Sequence, residues 1–71
     1  MNGYETSFVK WFRKHGWQIR GTDVWSDDGD TPCPFKLTDP MVARLEREGV
    51  LQKIWPESAP CWQDCYQLNE P

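Results

Sequence analysis

The stretch Thr38-Asp39-Pro40-Met41-Val42-Ala43-Arg44-Leu45-Glu46-Arg47-Glu48-Gly49-Val50-Leu51 decides the reading of this chain, because both ends of a helix are written into it. Thr38 supplies a side-chain oxygen that can accept from an orphan backbone N–H, and Pro40 stands in the first turn, where a missing N–H costs nothing. With Thr38 as the cap, Leu37 and Val42 occupy the two positions of a hydrophobic staple. Met41, Val42 and Leu45 share one face, while Arg44 and Arg47 point away from it. Gly49 falls where a left-handed residue closes a helix, and Val50 follows where it can pack back on Leu45, the pattern of a Schellman motif.

Downstream, Leu51-Gln52-Lys53-Ile54-Trp55 reads as a strand and Pro56-Glu57-Ser58-Ala59-Pro60 as a loop. Trp62 to Leu68 returns as the second strand of a hairpin, with Trp62, Tyr66 and Leu68 on one side of the pleat. Upstream, Tyr4, Phe8, Trp11, Phe12 and His15 recur at helical spacing, with Lys10, Arg13 and Lys14 on the opposite face. Asn2 and Glu5 form a capping-box pair, so a first helix is predicted over residues 3–15, with Gly16 at a left-handed C-terminal cap. Trp17-Gln18-Ile19-Arg20 alternates as a half-buried strand does. Gly21-Thr22-Asp23 can turn the chain and Val24-Trp25 return it; a short helix starting near Thr22 is the alternative. Ser26 to Pro34 is rich in turn formers and reads as a surface loop. The expected fold is α+β: one compact domain over residues 1–71, ordered helix, short hairpin, helix, C-terminal β-hairpin.

Composition bounds the function classes. The chain has 71 residues, 38% hydrophobic and 27% charged, a folded composition for a single domain. A domain this short buries only about 60% of its unfolded surface. Five Trp, three Phe and two Tyr therefore serve first as core, each able to bury roughly 150–250 Å². No apolar run approaches the length of a membrane span, and the polar opening Met1-Asn2-Gly3-Tyr4-Glu5 predicts no signal peptide. Three Cys, an odd number, suit free thiols in a reducing, cytoplasmic setting better than a disulfide framework.

The net charge of −3 is unevenly spread. Residues 1–20 sum to +3, residues 21–36 to −3 and residues 37–71 to −3. Net acidity opposes nucleic-acid binding, in which phosphate attraction supplies most of the non-specific affinity.

On residues 38–69, the run Val42-Ala43-Arg44-Leu45-Glu46-Arg47-Glu48-Gly49-Val50-Leu51, followed by a strand, a loop and Tyr66-Gln67-Leu68, resembles the end of a winged helix-turn-helix domain. In that family a helix closes with a turn of this kind and enters a two-stranded wing, and residues 3–15 would match the opening helix. The resemblance implies a winged-helix-like fold and a regulator that binds DNA. Two departures stand against the DNA role. The Asp- and Pro-rich loop Asp27 to Pro34 occupies the place of the family's middle helix. The recognition helix would open Thr38-Asp39-Pro40-Met41, which offers no bidentate contact to a base edge.

Catalysis finds little support, since the chain has one His and neither a phosphate loop nor a nucleophile elbow. His15, Cys33, Cys61 and Cys65 are four soft ligands, the number a closed zinc site needs. Their spacing lacks a Cys-x-x-Cys knuckle, so no metal and no cofactor is expected. The acidic loop Asp23, Asp27, Asp28 and Asp30 lacks the EF-hand spacing.

The expectation is therefore a non-enzymatic module that binds a larger protein through Trp25, Asp27, Asp28, Asp30, Trp55 and Trp62. Partly exposed Trp is a favoured interface hot spot, and acidic side chains can imitate nucleic-acid charge for a basic partner. By size and composition alone the chain also resembles small acidic phage and mobile-element proteins, including anti-CRISPR inhibitors, which implies a regulator or inhibitor of larger machinery. The alternative is a winged-helix DNA binder acting through Lys10, Arg13, Lys14, Arg44, Arg47 and Lys53.

Overall fold

The computed structural model describes residues 1–57 and 63–69. Among them the elements run α1 (Gly3–His15), β1 (Gly16–Arg20), β2 (Asp23–Ser26), α2 (Asp39–Arg47), β3 (Leu51–Ile54) and β4 (Cys65–Leu68). The coarse expectation of a small α+β fold with two helices and two hairpins holds.

The first helix starts as its sequence dictates. Asn2 Oδ1 accepts from the Glu5 amide at 2.8 Å, and Glu5 Oε1 accepts from the Asn2 amide at 3.1 Å, completing the capping box. The buried residues are Glu5, Phe8, Val9 and Phe12. The core stripe is thus rotated from the one expected: Tyr4 lies 48% exposed at its edge, with Trp11 and His15 half-buried. The reason is Glu5, which turns inward to meet Arg44. Tyr4 keeps a structural task at the margin. Its hydroxyl accepts from the Lys36 amide at 2.7 Å and donates to the Lys36 carbonyl at 3.0 Å, pinning the loop before α2 to α1.

Gly16 corrects the expected left-handed cap. Its φ of −86° and ψ of 154° are extended, and β1 begins there directly. What Gly16 supplies is room, since a Cβ there would stand 2.1 Å from Phe12 Cδ2. Gly21 does take a positive φ, 64°, between the paired residues Arg20 and Asp23. Thr22 does not, so the left-handed residue comes first in this two-residue turn, as a type II′ hairpin requires.

The second helix is punctuated as read. Thr38 Oγ1 accepts from the Met41 amide at 3.3 Å. At the other end the Gly49 amide donates to the Glu46 carbonyl and the Val50 amide to the Leu45 carbonyl, the two bonds of a Schellman motif. Gly49 adopts φ 81°, and Val50 packs against the core.

The two hairpins fuse into one antiparallel sheet in the order β2-β1-β4-β3. The joining pair is β1 with β4, through Ile19 opposite Tyr66 and Arg20 opposite Cys65. Residues directly opposite share a face. Val24, Ile19, Tyr66, Leu68 and Leu51 therefore line one face, which the helices cover. The core is Phe8, Val9 and Phe12 of α1, Leu37, the Met41, Val42 and Leu45 stripe of α2, and Ile19, Leu51 and Tyr66 of the sheet. Trp62 and Cys61 lie outside the described residues.

Candidate functional site

The opposite face of the sheet carries Trp25 and Asp23 on β2, Gln18 and Arg20 on β1, Cys65 and Gln67 on β4, and Gln52 and Ile54 on β3. A register shift between Gly16 and Gln18 leaves Trp17 as an extra residue opposite β2. Such a bulge takes a side chain out of strict alternation. Trp17 and Trp25 flank Arg20, whose guanidinium carbon lies 5.9 Å and 5.1 Å from the two ring centroids. Arg20 Nε also donates to Gln18 Oε1 at 2.7 Å. Each cation–π contact at an exposed site contributes about 0.5–1 kcal/mol, which favours both indoles beside Arg20. Trp17 and Trp25 are nevertheless 44% and 45% exposed, an aromatic pair presented to solvent.

The sequence reading named Trp25 for a partner and missed Trp17, which ordinary strand alternation hides. Trp55, directly after β3, is 82% exposed. The expected contact residue Trp62 lies outside the described residues.

The acidic loop divides its carboxylates between two roles. Asp28 Oδ1 accepts from Ser26 Oγ and from the Asp30 and Thr31 amides, each at 2.9 Å, and Oδ2 accepts from Thr31 Oγ1 at 2.7 Å. These donors, the Thr31 hydroxyl first, hold the Asp28 carboxyl well below the usual carboxylate range. Asp28 therefore organises the loop. Asp27 and Asp30 are exposed beside it, with side chains that accept no hydrogen bond among the described residues.

The basic residues divide too. Lys10, Arg13 and Lys14 are exposed on α1. Arg44, its side chain half exposed, is tied to α1: its Nε and Nη2 donate to Glu5 Oε2 at 2.8 and 2.6 Å. The Arg44 hydrogen bond is the main reason the Glu5 carboxyl is held below its ordinary range. Arg47 is exposed. Lys53 pairs with Asp64 at 3.4 Å, which raises its pKa.

The soft ligands do not converge. His15 lies against Trp11, ring centroids 5.6 Å apart. Cys33 Sγ sits within 3.4 Å of both the amide and the carbonyl oxygen of Phe35, and burial pushes its thiol up. Cys65 is buried in the sheet. Among the described residues no three His, Cys, Asp or Glu side chains come together as metal ligands. Nor is any helix among them long and apolar enough to cross a membrane.

A cleft of about 500 Å³ opens between the β1–β2 turn, α2 and the start of β4. Arg20, Asp23, Asp39, Val42, Asp64 and Tyr66 contribute to its walls. Compared with known protein families, with curated proteins and with solved structures, the chain matches none.

Proposed function

We propose that this chain is a non-enzymatic binding module that acts through protein–protein contact, as a small regulator or inhibitor of a larger protein. The observation that carries the reading is the pair Trp17 and Trp25, nearly half exposed and held on either side of Arg20. Exposing two indoles on a β-hairpin forgoes burial that a chain this small could use. On binding, such pre-ordered aromatics lose little rotamer freedom, which is the economy of an interface anchor. The exposed carboxylates of Asp27 and Asp30 lie just beyond β2 and favour a basic partner.

The test is Trp25→Ala. Because the side chain is half exposed, the variant is expected to melt close to the parent. Loss of a hot-spot contact of about 2 kcal/mol weakens partner binding roughly 30-fold. A folded Trp25→Ala variant that binds the partner as tightly as the parent refutes the reading.

A second reading, a winged-helix-like DNA binder, is favoured by the Gly49 turn leading α2 into the β3–β4 hairpin and by the exposed Lys10, Arg13 and Lys14. Engagement of Arg44 by Glu5 and the net charge weigh against it. Fluorescence anisotropy with mixed-sequence duplex DNA decides: tight binding that weakens steeply with salt promotes this reading, and no binding at low salt removes it.

A further inference from the structure

Bonded and non-bonded residue pairs alternate along an antiparallel ladder. The Gly21 amide donates to the Asp64 carbonyl at 2.7 Å, so two residues earlier Ile19 turns its N–H and C=O toward Tyr66 of β4. On its other side Ile19 faces Val24 of β2, which therefore sits in a non-bonded pair with its own N–H and C=O directed away from β1. The two-residue turn gives the same answer, since its flanking pair, Arg20 and Asp23, is the bonded one. β2 is an outer strand of the sheet, and among the described residues nothing beyond it bonds either group of Val24. Edge strands are commonly guarded by Lys or Pro. The opposite edge, β3, contains Lys53 and is followed by Pro56, whereas β2 has neither. Beside Val24 lies a groove of about 370 Å³, whose far wall includes Cys33, Phe35, Lys36 and Leu37.

We infer that the β2 edge receives an extended strand of the partner protein in which basic and apolar residues alternate, an apolar one opposite Val24 and basic ones on either side of it. The inference rests on the protein-binding reading above and names how the partner's chain docks. Strand addition draws affinity from main-chain hydrogen bonds and sequence choice from alternate side chains. A residue opposite Val24 exchanges two bonds with it, and its side chain falls on the core-facing side, where Val24, Phe35 and Leu37 make the groove apolar. Its two neighbours fall on the other face, opposite Asp23 and Trp25. Asp23 is exposed, and a cation directly opposite an anion is a favourable cross-strand pair. Trp25, with Arg20 at 5.1 Å on β1, keeps exposed ring surface for a second cation. Asp27 and Asp30 extend the negative charge past the end of β2, against the one cation, Lys36, on the far wall. A second copy of this chain is disfavoured, because its β2 brings no cation and its net charge is again −3.

The experiment is a ¹H–¹⁵N titration of the full chain with a blocked Val-Arg-Val-Arg-Val peptide. The same peptide N-methylated at its central Val, and a Val-Glu-Val-Glu-Val peptide, serve as separate arms. The expected result is saturable shifts centred on the Val24 amide, together with slowed solvent exchange of that amide. N-methylation, which removes the donor to the Val24 carbonyl, should weaken binding about tenfold. The Glu peptide should bind more weakly than the Arg peptide, and Asp23→Lys should reverse that order. Shifts away from β2, no shifts at all, or unchanged affinity for the N-methylated peptide would each overturn strand addition. A Glu peptide that binds the parent as tightly as the Arg peptide would overturn the basic register, whether or not Asp23→Lys folds. Concentration-dependent shifts at Val24 without peptide would assign the edge to a second copy instead. Trp25→Ala separates the two proposals. Lost partner binding in that variant, with a silent edge in the parent, rejects strand addition alone, while retained binding by the folded variant rejects the aromatic anchor.

Discussion

A Cβ built on Gly16 lies 2.1 Å from Phe12 Cδ2 and 2.5 Å from Cε2. Two opposing effects decide what Gly16→Ala does. The backbone there is extended, with φ −86°, so alanine meets no conformational penalty, and restricting the unfolded chain favours the variant by about 0.4–1 kcal/mol. Against this, the Phe12 ring must move by more than an ångström. It is 2% exposed and packs on Phe8 at 5.5 Å between centroids, so it has no solvent to move into. Overpacking a filled core costs about 1–3 kcal/mol, and a contact this short belongs at the upper end. Net destabilisation of about 2–2.5 kcal/mol follows, a fall in Tm of about 8–20 °C for a domain of this size. The assay is thermal and urea unfolding by circular dichroism. Gly3→Ala is the control, because a Cβ there meets nothing within 4 Å. An unchanged or raised Tm for Gly16→Ala would show that the glycine is not needed for space.

Leu45 is fully buried where α2 meets the sheet, so Leu45→Ala should cost about 2–5 kcal/mol, read as a lowered urea midpoint at unchanged slope. Glu5 has a folded pKa below its unfolded value, so its contribution is present above the ordinary carboxylate range and is lost as pH falls through the folded pKa. Glu5→Gln keeps a residue able to close the capping box but removes the charge facing Arg44. Urea midpoints at pH 7 and pH 3 should therefore fall more for the parent than for Glu5→Gln, and parallel falls would show that the pair carries no pH dependence.

Local signals wrote most of the elements. Asn2 with Glu5, Thr38 with Met41 and Val50 with Leu45 are contacts between residues a few positions apart, so their chemistry is visible in a short window. What a window cannot show is pairing across the chain. Nothing in Ile19 or Tyr66 by itself says that β1 and β4 are neighbours, and the single sheet follows from that pairing. Glu5 shows the same limit, since its capping partner is three residues away and its ionic partner, Arg44, lies on another helix. At the candidate site, Trp25 was legible as a surplus aromatic. Trp17 was hidden by a bulge, and Tyr66 read as a core residue because its ring is one. The cleft needs the β1–β2 turn, α2 and the start of β4 to be assembled before any of it exists.

The β1–β4 pairing also orders events during synthesis. As the chain leaves the ribosome, α1 and the β1–β2 hairpin can form early, but the inner edge of β1 stays open until β4 has been made. Until then the nascent chain presents Ile19 and a row of unpaired amides, the condition under which strands join the wrong neighbour. Closing that gap requires a loop spanning most of the chain, an entropic cost met late in folding. Fragments that stop before Cys65 are therefore expected to be the aggregation-prone forms of this protein, and its proteolytic sensitivity in cells should depend on how promptly its last strand docks.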